Sequence, residues 1–313
     1  MIGVWLLILR EMLGFLIMML IGVIAAKCNL ITRTGLASMN AVAQKVFLPI
    51  MIYTFTYRSL TIESLFRHWP MIPLTVCFYI AVIALTTVLS KALKLSVEKA
   101  GVFRMVFTFG NTGFIGLPLL SAAFAESGVI NLLLFMVVDQ FVLWTYGVRE
   151  ASRSDDKPSI AQSAKGLFNP NLIAFALGFI TIALGLRIPS FLEEPLDSLS
   201  AVASPLCMAC IGCLCLYSSL SKALMQRELY VGIVLKMIAM PLVCLPFLSM
   251  PPLNLEGNMI PCLLLMMAMP ATTLVPLVVA AEDGDREYAT RTTIATIIAS
   301  IFTVPLLAAI LGL

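Results

Sequence analysis

Ten stretches of about 20 mostly apolar residues follow one another along the chain, at approximately 4–26, 36–56, 71–92, 100–124, 128–148, 171–189, 198–218, 229–250, 258–281 and 288–311. The hydrocarbon core of a bilayer is about 30 Å thick, and a helix rising 1.5 Å per residue crosses it in about 20 residues. Lipid offers a backbone no hydrogen bonds, so each run has to close its own as a helix. Little chain remains between the runs. The longest gap, about 149–170, carries Arg149, Glu150, Arg153, Asp155, Asp156, Lys157 and Lys165. Composition agrees with the pattern: 60% of residues are apolar and 12% charged, against about 45–50% and 25% in a soluble domain. The expectation is an all-α membrane protein in one integrated membrane domain. The first run has no basic segment ahead of it and contains Arg10 and Glu11, so it reads as a span and not as a cleaved leader.

Charge then orients the spans. Cytoplasmic loops collect Lys and Arg. With the N-terminus outside, the inward loops hold 14 basic residues, from Lys27 and Arg33 to Arg286 and Arg291. The outward side holds four, Arg10, Arg58, Arg67 and Arg187, while Lys45 and Lys236 fall inside spans. An even span count therefore predicts a multi-pass protein of the cell (inner) membrane with both termini outside and a cytoplasmic 149–170 linker.

Five runs precede the linker and five follow it. An odd number per half inverts the second half relative to the first, the plan of many secondary transporters. The expected organisation is a first five-helix repeat over 1–148, a short linker over 149–170 and a second repeat over 171–313. Prolines support the duplication. Pro49 and Pro118 are 69 residues apart, and Pro205 and Pro276 are 71 apart, in corresponding spans.

The fourth run contains FGNTGFIGLPLL, with Gly110, Asn111, Thr112, Gly113, Gly116 and Pro118 amid apolar flanks. The ninth contains MPATTLVP, with Pro270, Thr272, Thr273 and Pro276. Proline removes a backbone donor and glycine permits unwound conformations. The freed N–H and C=O groups cannot face lipid. Kinked helices packed through small residues would carry the same glycines, but matched interruptions in both halves point to a transporter's binding site. The half-helices starting beyond the breaks direct amide donors and partial positive charge at the cavity. With the Asn111 amide and the Thr112, Thr272 and Thr273 hydroxyls, that favours a small carboxylate. Neutral ligands also suit asparagine and threonine.

Ionisable residues inside spans are costly and usually functional. Asp139, with Gln140 beside it, lies about nine residues from the cytoplasmic end of span five, and Lys236 about seven from that of span eight. Those depths are roughly 13 Å and 10 Å, so the two could pair, and release one another as proton or substrate binds. Lys45 reads as a snorkelling residue, and Lys236 could also reach the interface in that way. Thr296, Ser300 and Thr303 share one face of span ten and read as helix glue before ligand contacts.

Other chemistries find little support. Cys207, Cys210, Cys213 and Cys215 mimic a cluster-ligand spacing, but they sit mid-span without polar second partners and read as small packing residues. His68, the single histidine, reads as part of an outward loop. GNTGFIG lacks the Lys–Ser/Thr of a phosphate loop, and no nucleophile motif, catalytic residue, metal site or nucleic-acid patch is expected.

The sequence resembles the auxin efflux carrier family. GNTGFIGLPLL carries the resemblance at Asn111, Thr112, Gly116, Pro118, Leu119 and Leu120, and the ninth run does so at Pro270, Val275 and Pro276. GLASMNAVAQKVFLP and VLKMIAMPL add to it. Gly110 stands where plant members carry proline. The resemblance implies a fold similar to bile-acid sodium symporters: ten transmembrane helices as two inverted five-helix repeats, with broken helices four and nine crossing beside the substrate. Spans one, two, six and seven would support a moving core. It implies transport of organic anions, with Asn111 as the substrate-contacting asparagine. The short linker leaves auxin itself unimplied. The expectation is a secondary transporter of a mono- or dicarboxylate working by alternating access in the lipid bilayer, with an uncoupled facilitator or channel, or an intramembrane enzyme, as rivals. No cofactor is expected; the coupling ion is left between H+ and Na+, and a homodimer stays open.

Overall fold

Helices fill the apolar runs, and the single non-helical pairing among the described residues is an isolated antiparallel bridge between Gly110 and Ala271. The computed structural model describes residues 3–152, 164–218, 220–250, 255 and 257–313. Arg153, Asp155, Asp156 and Lys157 of the expected linker lie outside them.

In chain order the helices are α1 (Val4–Lys27), α2 (Arg33–Ser59), the short α3 (Ile62–His68), α4 (Met71–Ala92) and α5 (Val97–Thr108). A helical stretch Thr112–Ala151 follows. Beyond the linker come α8 (Pro170–Ala183), α9 (Ser190–Tyr217), the short α10 (Leu220–Leu224), α11 (Arg227–Leu248), α12 (Met259–Met267), α13 (Val275–Ala281) and α14 (Arg286–Ile310). Their starts are written locally. Thr32, Thr61, Asn169 and Asp285 each accept a hydrogen bond from a first-turn amide of the helix that follows, which satisfies donors with no intrahelical partner.

Among the described residues, seven helical stretches are long and apolar enough to cross a membrane. One of them, Thr112–Ala151, has 40 residues; as a straight rod it would run about 60 Å, twice the hydrocarbon thickness. It does not run straight. Ala125 has φ 51 and ψ −136, far from helical values. A Cβ placed on Gly128 would lie 2.3 Å from the Leu120 carbonyl oxygen, and one on Gly116 would lie 3.4 Å from the Leu132 side chain. Both pairs are symmetric about residue 124, as two antiparallel helices require. The stretch is therefore a hairpin of α6 (112–124) and α7 (126–151), divided where the apolar runs divide.

Packing joins two sets of helices through α1, which also packs on α14 and on the Thr112–Ala151 hairpin. α1 lies along α9, and α2 packs on α8 and α9. The α1–α9 contact is close because Gly22 and Gly212 face each other's backbones: added Cβ atoms would sit 2.0 Å from the Ala209 oxygen and 1.9 Å from the Met19 oxygen. Small residues let membrane helices approach in this way. Cys213 Sγ donates to the Gly22 carbonyl at 3.2 Å, and no group of metal-ligating side chains occurs among the described residues. In the second group α4 packs on α5 and α7, α12 on α11 and α7, and α14 on α5 and α13. Trp5 N–H donates to the Leu313 carbonyl at 3.1 Å, so the first and last helices meet at one end of the bundle.

His68 differs from its sequence reading. It ends helix α3, is buried, and its Nδ1 lies 2.8 Å from Asn131 Oδ1. The short amphipathic α3 tucks the ring under the hairpin, so a loop position was the wrong inference from a polar-looking gap.

Candidate functional site

α5 ends at Thr108, and helix resumes at Thr112; α12 ends at Met267, and α13 begins at Val275. The two interruptions meet. Asn111 N–H donates to the Pro270 carbonyl at 2.7 Å, and Thr272 N–H donates to the Phe109 carbonyl at 3.1 Å. Each unwound segment thereby closes the backbone groups that the other leaves open, which a lipid-embedded chain requires. Gly110 sits at this contact because the partner backbone is close: an added Cβ would lie 3.0 Å from Met269 Cβ.

Neighbouring helices supply the remaining partners. Thr296 Oγ1 on α14 accepts from Ala271 N–H at 3.1 Å. Gln44 Nε2 on α2 donates to the Thr273 carbonyl at 3.4 Å and to Asn40 Oδ1 at 3.2 Å. Ser204 on α9 donates to the Phe114 carbonyl at 2.7 Å. Lys236 Nζ on α11 donates to the Met269 carbonyl. Asn111 O accepts from Gly116 N–H at 3.1 Å. Only one of the three prolines lies in a break. Pro118 and Pro276 each sit in the first turn of the α-helical segment beyond a break, where a missing N–H costs little, and Pro270 lies within the second break.

Among the described residues, four π-helical turns punctuate the bundle, at Ala43–Phe47, Thr112–Gly116, Leu143–Gly147 and Ile233–Ala239. They present Gln44, Thr112, Trp144 and Lys236. Such wide turns often mark functional positions in helices. Apolar periodicity carries no signal for them, which is why the sequence reading missed them.

Asn111 and Thr112 are buried, and among the described residues Asn111 Nδ2 has no hydrogen-bond partner. A buried unpaired amide is uncommon and calls for an explanation. Gly113 faces Leu48, with 2.8 Å between an added Cβ and Leu48 Cδ1. Thr273 lines an open, solvent-facing cleft together with Pro276 and Asn40. Thr273 Oγ1 otherwise meets only Cys207 Sγ, at 4.0 Å.

Asp139, Gln140 and Lys236 are all buried. Asp139 and Lys236 make no direct ion pair, though they are near enough to interact electrostatically. Tyr79 Oη donates to Asp139 Oδ1, Gln140 Nε2 donates to Asp139 Oδ2 at 3.1 Å, and Trp144 Nε1 donates to Gln140 Oε1 at 3.4 Å. The Tyr79 ring packs 6.0 Å from that of Phe109. The acid thus sits behind the first interruption through Tyr79, and the cation behind the second through Met269. Lys45 is exposed and Lys236 is not, so the two in-span lysines part company. Tyr79, Gln44, Ser204 and Thr296 went unnoticed as site residues because hydroxyl and amide side chains in apolar helices ordinarily read as packing.

The fold and site define a multi-pass helical membrane protein in which two short non-helical segments between helices are joined through their backbones. The chain belongs to the membrane transport protein family, the family of the auxin efflux carriers, whose model matches residues 7–308. It is similar to a protein described as an uncharacterized transporter of Methanocaldococcus jannaschii, at 27% identity over 206 residues. That match covers 63% of this chain and 65% of the relative, a little under two thirds of its length. Membership points to transport and away from catalysis.

Proposed function

We propose that the protein is a secondary active transporter of a small organic anion, a mono- or dicarboxylate, working by alternating access in the cell (inner) membrane. In this reading the chain crosses ten times as two inverted five-helix repeats, with α5–α6 and α12–α13 as the broken fourth and ninth spans. The contact between Trp5 and Leu313 supports an even number of crossings, and the basic loops support termini outside with the linker in the cytoplasm. α1, α2, α8 and α9 form the support, and the remaining long helices form the moving core.

The observation that carries the reading is the reciprocal pairing of the two interruptions around a buried Asn111 amide with no partner. Asn111, Thr112, Gly113, Thr272 and Thr273 then line the substrate site. Gly110, Gly116, Pro118, Pro270 and Pro276 hold its shape. Asp139, with Gln140 and Lys236, carries coupling. The carbonyls of Phe109, Asn111, Phe114, Met269, Pro270, Thr272 and Thr273 already accept donors. The buried acid Asp139 favours H+ as the coupling ion.

The test is uptake of radiolabelled succinate and propionate into proteoliposomes under an imposed proton gradient. The wild type is expected to concentrate at least one of them above the external level. Asp139→Asn should retain equilibrative exchange and lose accumulation, and Asn111→Ala should lower both at least tenfold. Equilibration without accumulation in the wild type would make the protein a facilitator. Accumulation that survives Asp139→Asn would remove the acid from coupling.

A further inference from the structure

We infer that the cleft running from the second interruption to the start of α14 holds a separate reception site for carboxylate anions, with Arg286 as its charged contact. This rests on the organic-anion reading above and adds a site to it, ahead of the one at Asn111. The cleft is lined by Asn40, Thr273, Arg286, Thr290 and Thr293, with apolar walls that include Ile211. Arg286 is the only charged residue in that lining.

The carboxylates nearest to Arg286 in sequence are engaged elsewhere. Asp285 accepts from Tyr288 N–H at 2.9 Å. Glu287 lies 3.4 Å from Arg291 and 3.8 Å from Lys222. Among the described residues the Arg286 guanidinium forms no ion pair.

A second observation lies further along the cleft. Thr293 is 2% exposed and lines the same cleft, and among the described residues its Oγ1 has no hydrogen-bond partner. It stands two helical turns beyond Arg286 on α14, about 10 Å along the axis. The cleft therefore has a cationic, exposed mouth and a neutral hydroxyl-lined floor that reaches Thr273 in the interruption. A carboxylate meets the guanidinium fork first, where two parallel N–H donors match its two oxygens. It can then pass to the Thr293 and Thr273 hydroxyls. A lone cation in a low-dielectric cleft also raises the local concentration of anions. A phosphate could use the same fork, and the experiment separates the two.

Two measurements on the full chain test this. In the first, succinate and propionate uptake is followed in proteoliposomes for the wild type, Arg286→Gln, Arg286→Lys and, as a control for general surface charge, Arg227→Gln outside the cleft. Arg286→Gln is expected to raise the half-saturating concentration at least fivefold with maximal rate within twofold. Arg286→Lys should recover part of the loss, and Arg227→Gln should match the wild type. In the second, purified protein is treated with phenylglyoxal, and modification of Arg286 is read by mass spectrometry. Succinate should protect Arg286 at lower concentration than inorganic phosphate does.

An unchanged half-saturation in Arg286→Gln, an equal rise in Arg227→Gln, or stronger protection by phosphate would overturn the reception site and leave the transport reading standing. A wild type that neither moves nor is protected by either carboxylate would overturn both.

Discussion

Thr296, Ser300 and Thr303 look equivalent in sequence, three hydroxyls on one face of an apolar helix. The structure separates them. Thr296 accepts the Ala271 N–H that the second interruption exposes, whereas the Thr303 hydroxyl has no partner. Thr296→Val keeps the shape and strands a buried donor, at a cost of about 1–3 kcal/mol. Thermal unfolding of the purified protein should show a melting temperature lower by roughly 2–10 °C, while Thr303→Val should leave it unchanged or higher. Residue identity was legible where chemistry is expensive: Asp139, Lys236 and the Asn111–Thr112 pair stand out in an apolar chain, and all four are buried in the structure. Partners were not legible. Nothing in the spacing of Asp139 and Lys236 distinguishes a direct pair from the arrangement found, in which each answers to a different interruption through Tyr79 and Met269. Contacts over such sequence distances depend on how helices are rotated, and a span that is apolar nearly all round leaves rotation unspecified.

At the scale of elements, the apolar runs carry the helices because the bilayer fixes their length. Interruptions showed in Gly, Pro and polar residues, yet their extents differ: three residues separate α5 from α6, while seven separate α12 from α13. The proline positions alone suggested a match. The second break contains Pro270, which has no N–H to donate, and it closes with Thr272 O accepting from Val275 N–H at 3.2 Å. Close packing of α1 on α9 gives a sharper test. Gly212→Val would drive a side chain into the Met19 carbonyl, and two rigid helices have no rotamer that relieves a backbone clash. The expected result is loss of the monodisperse peak in size-exclusion chromatography. Gly14→Ala, with nothing within 4 Å of the added carbon, should elute as the wild type does.

For the whole molecule, membership of the transport family and the paired interruptions describe one machine, while charge asymmetry alone sets which way it faces. Arg187 and Lys222 are both exposed, in connections between spans assigned to opposite faces. In a background cleared of native cysteines, Arg187→Cys should react with a membrane-impermeant maleimide in intact cells or right-side-out vesicles. Lys222→Cys should react only after permeabilisation, and the reverse pattern would invert the topology. The mutual backbone bonds between Phe109–Asn111 and Pro270–Thr272 carry a consequence for biogenesis. The donor and the acceptor that answer the first interruption are encoded about 160 residues downstream of it. At a synthesis rate of about 5–20 residues per second, the inserted first half waits roughly 8–30 s with its amide and carbonyl groups unanswered. A nascent carrier of this design is an unfinished object in the bilayer for that whole interval, dependent on water or an attendant insertion factor until its second half arrives.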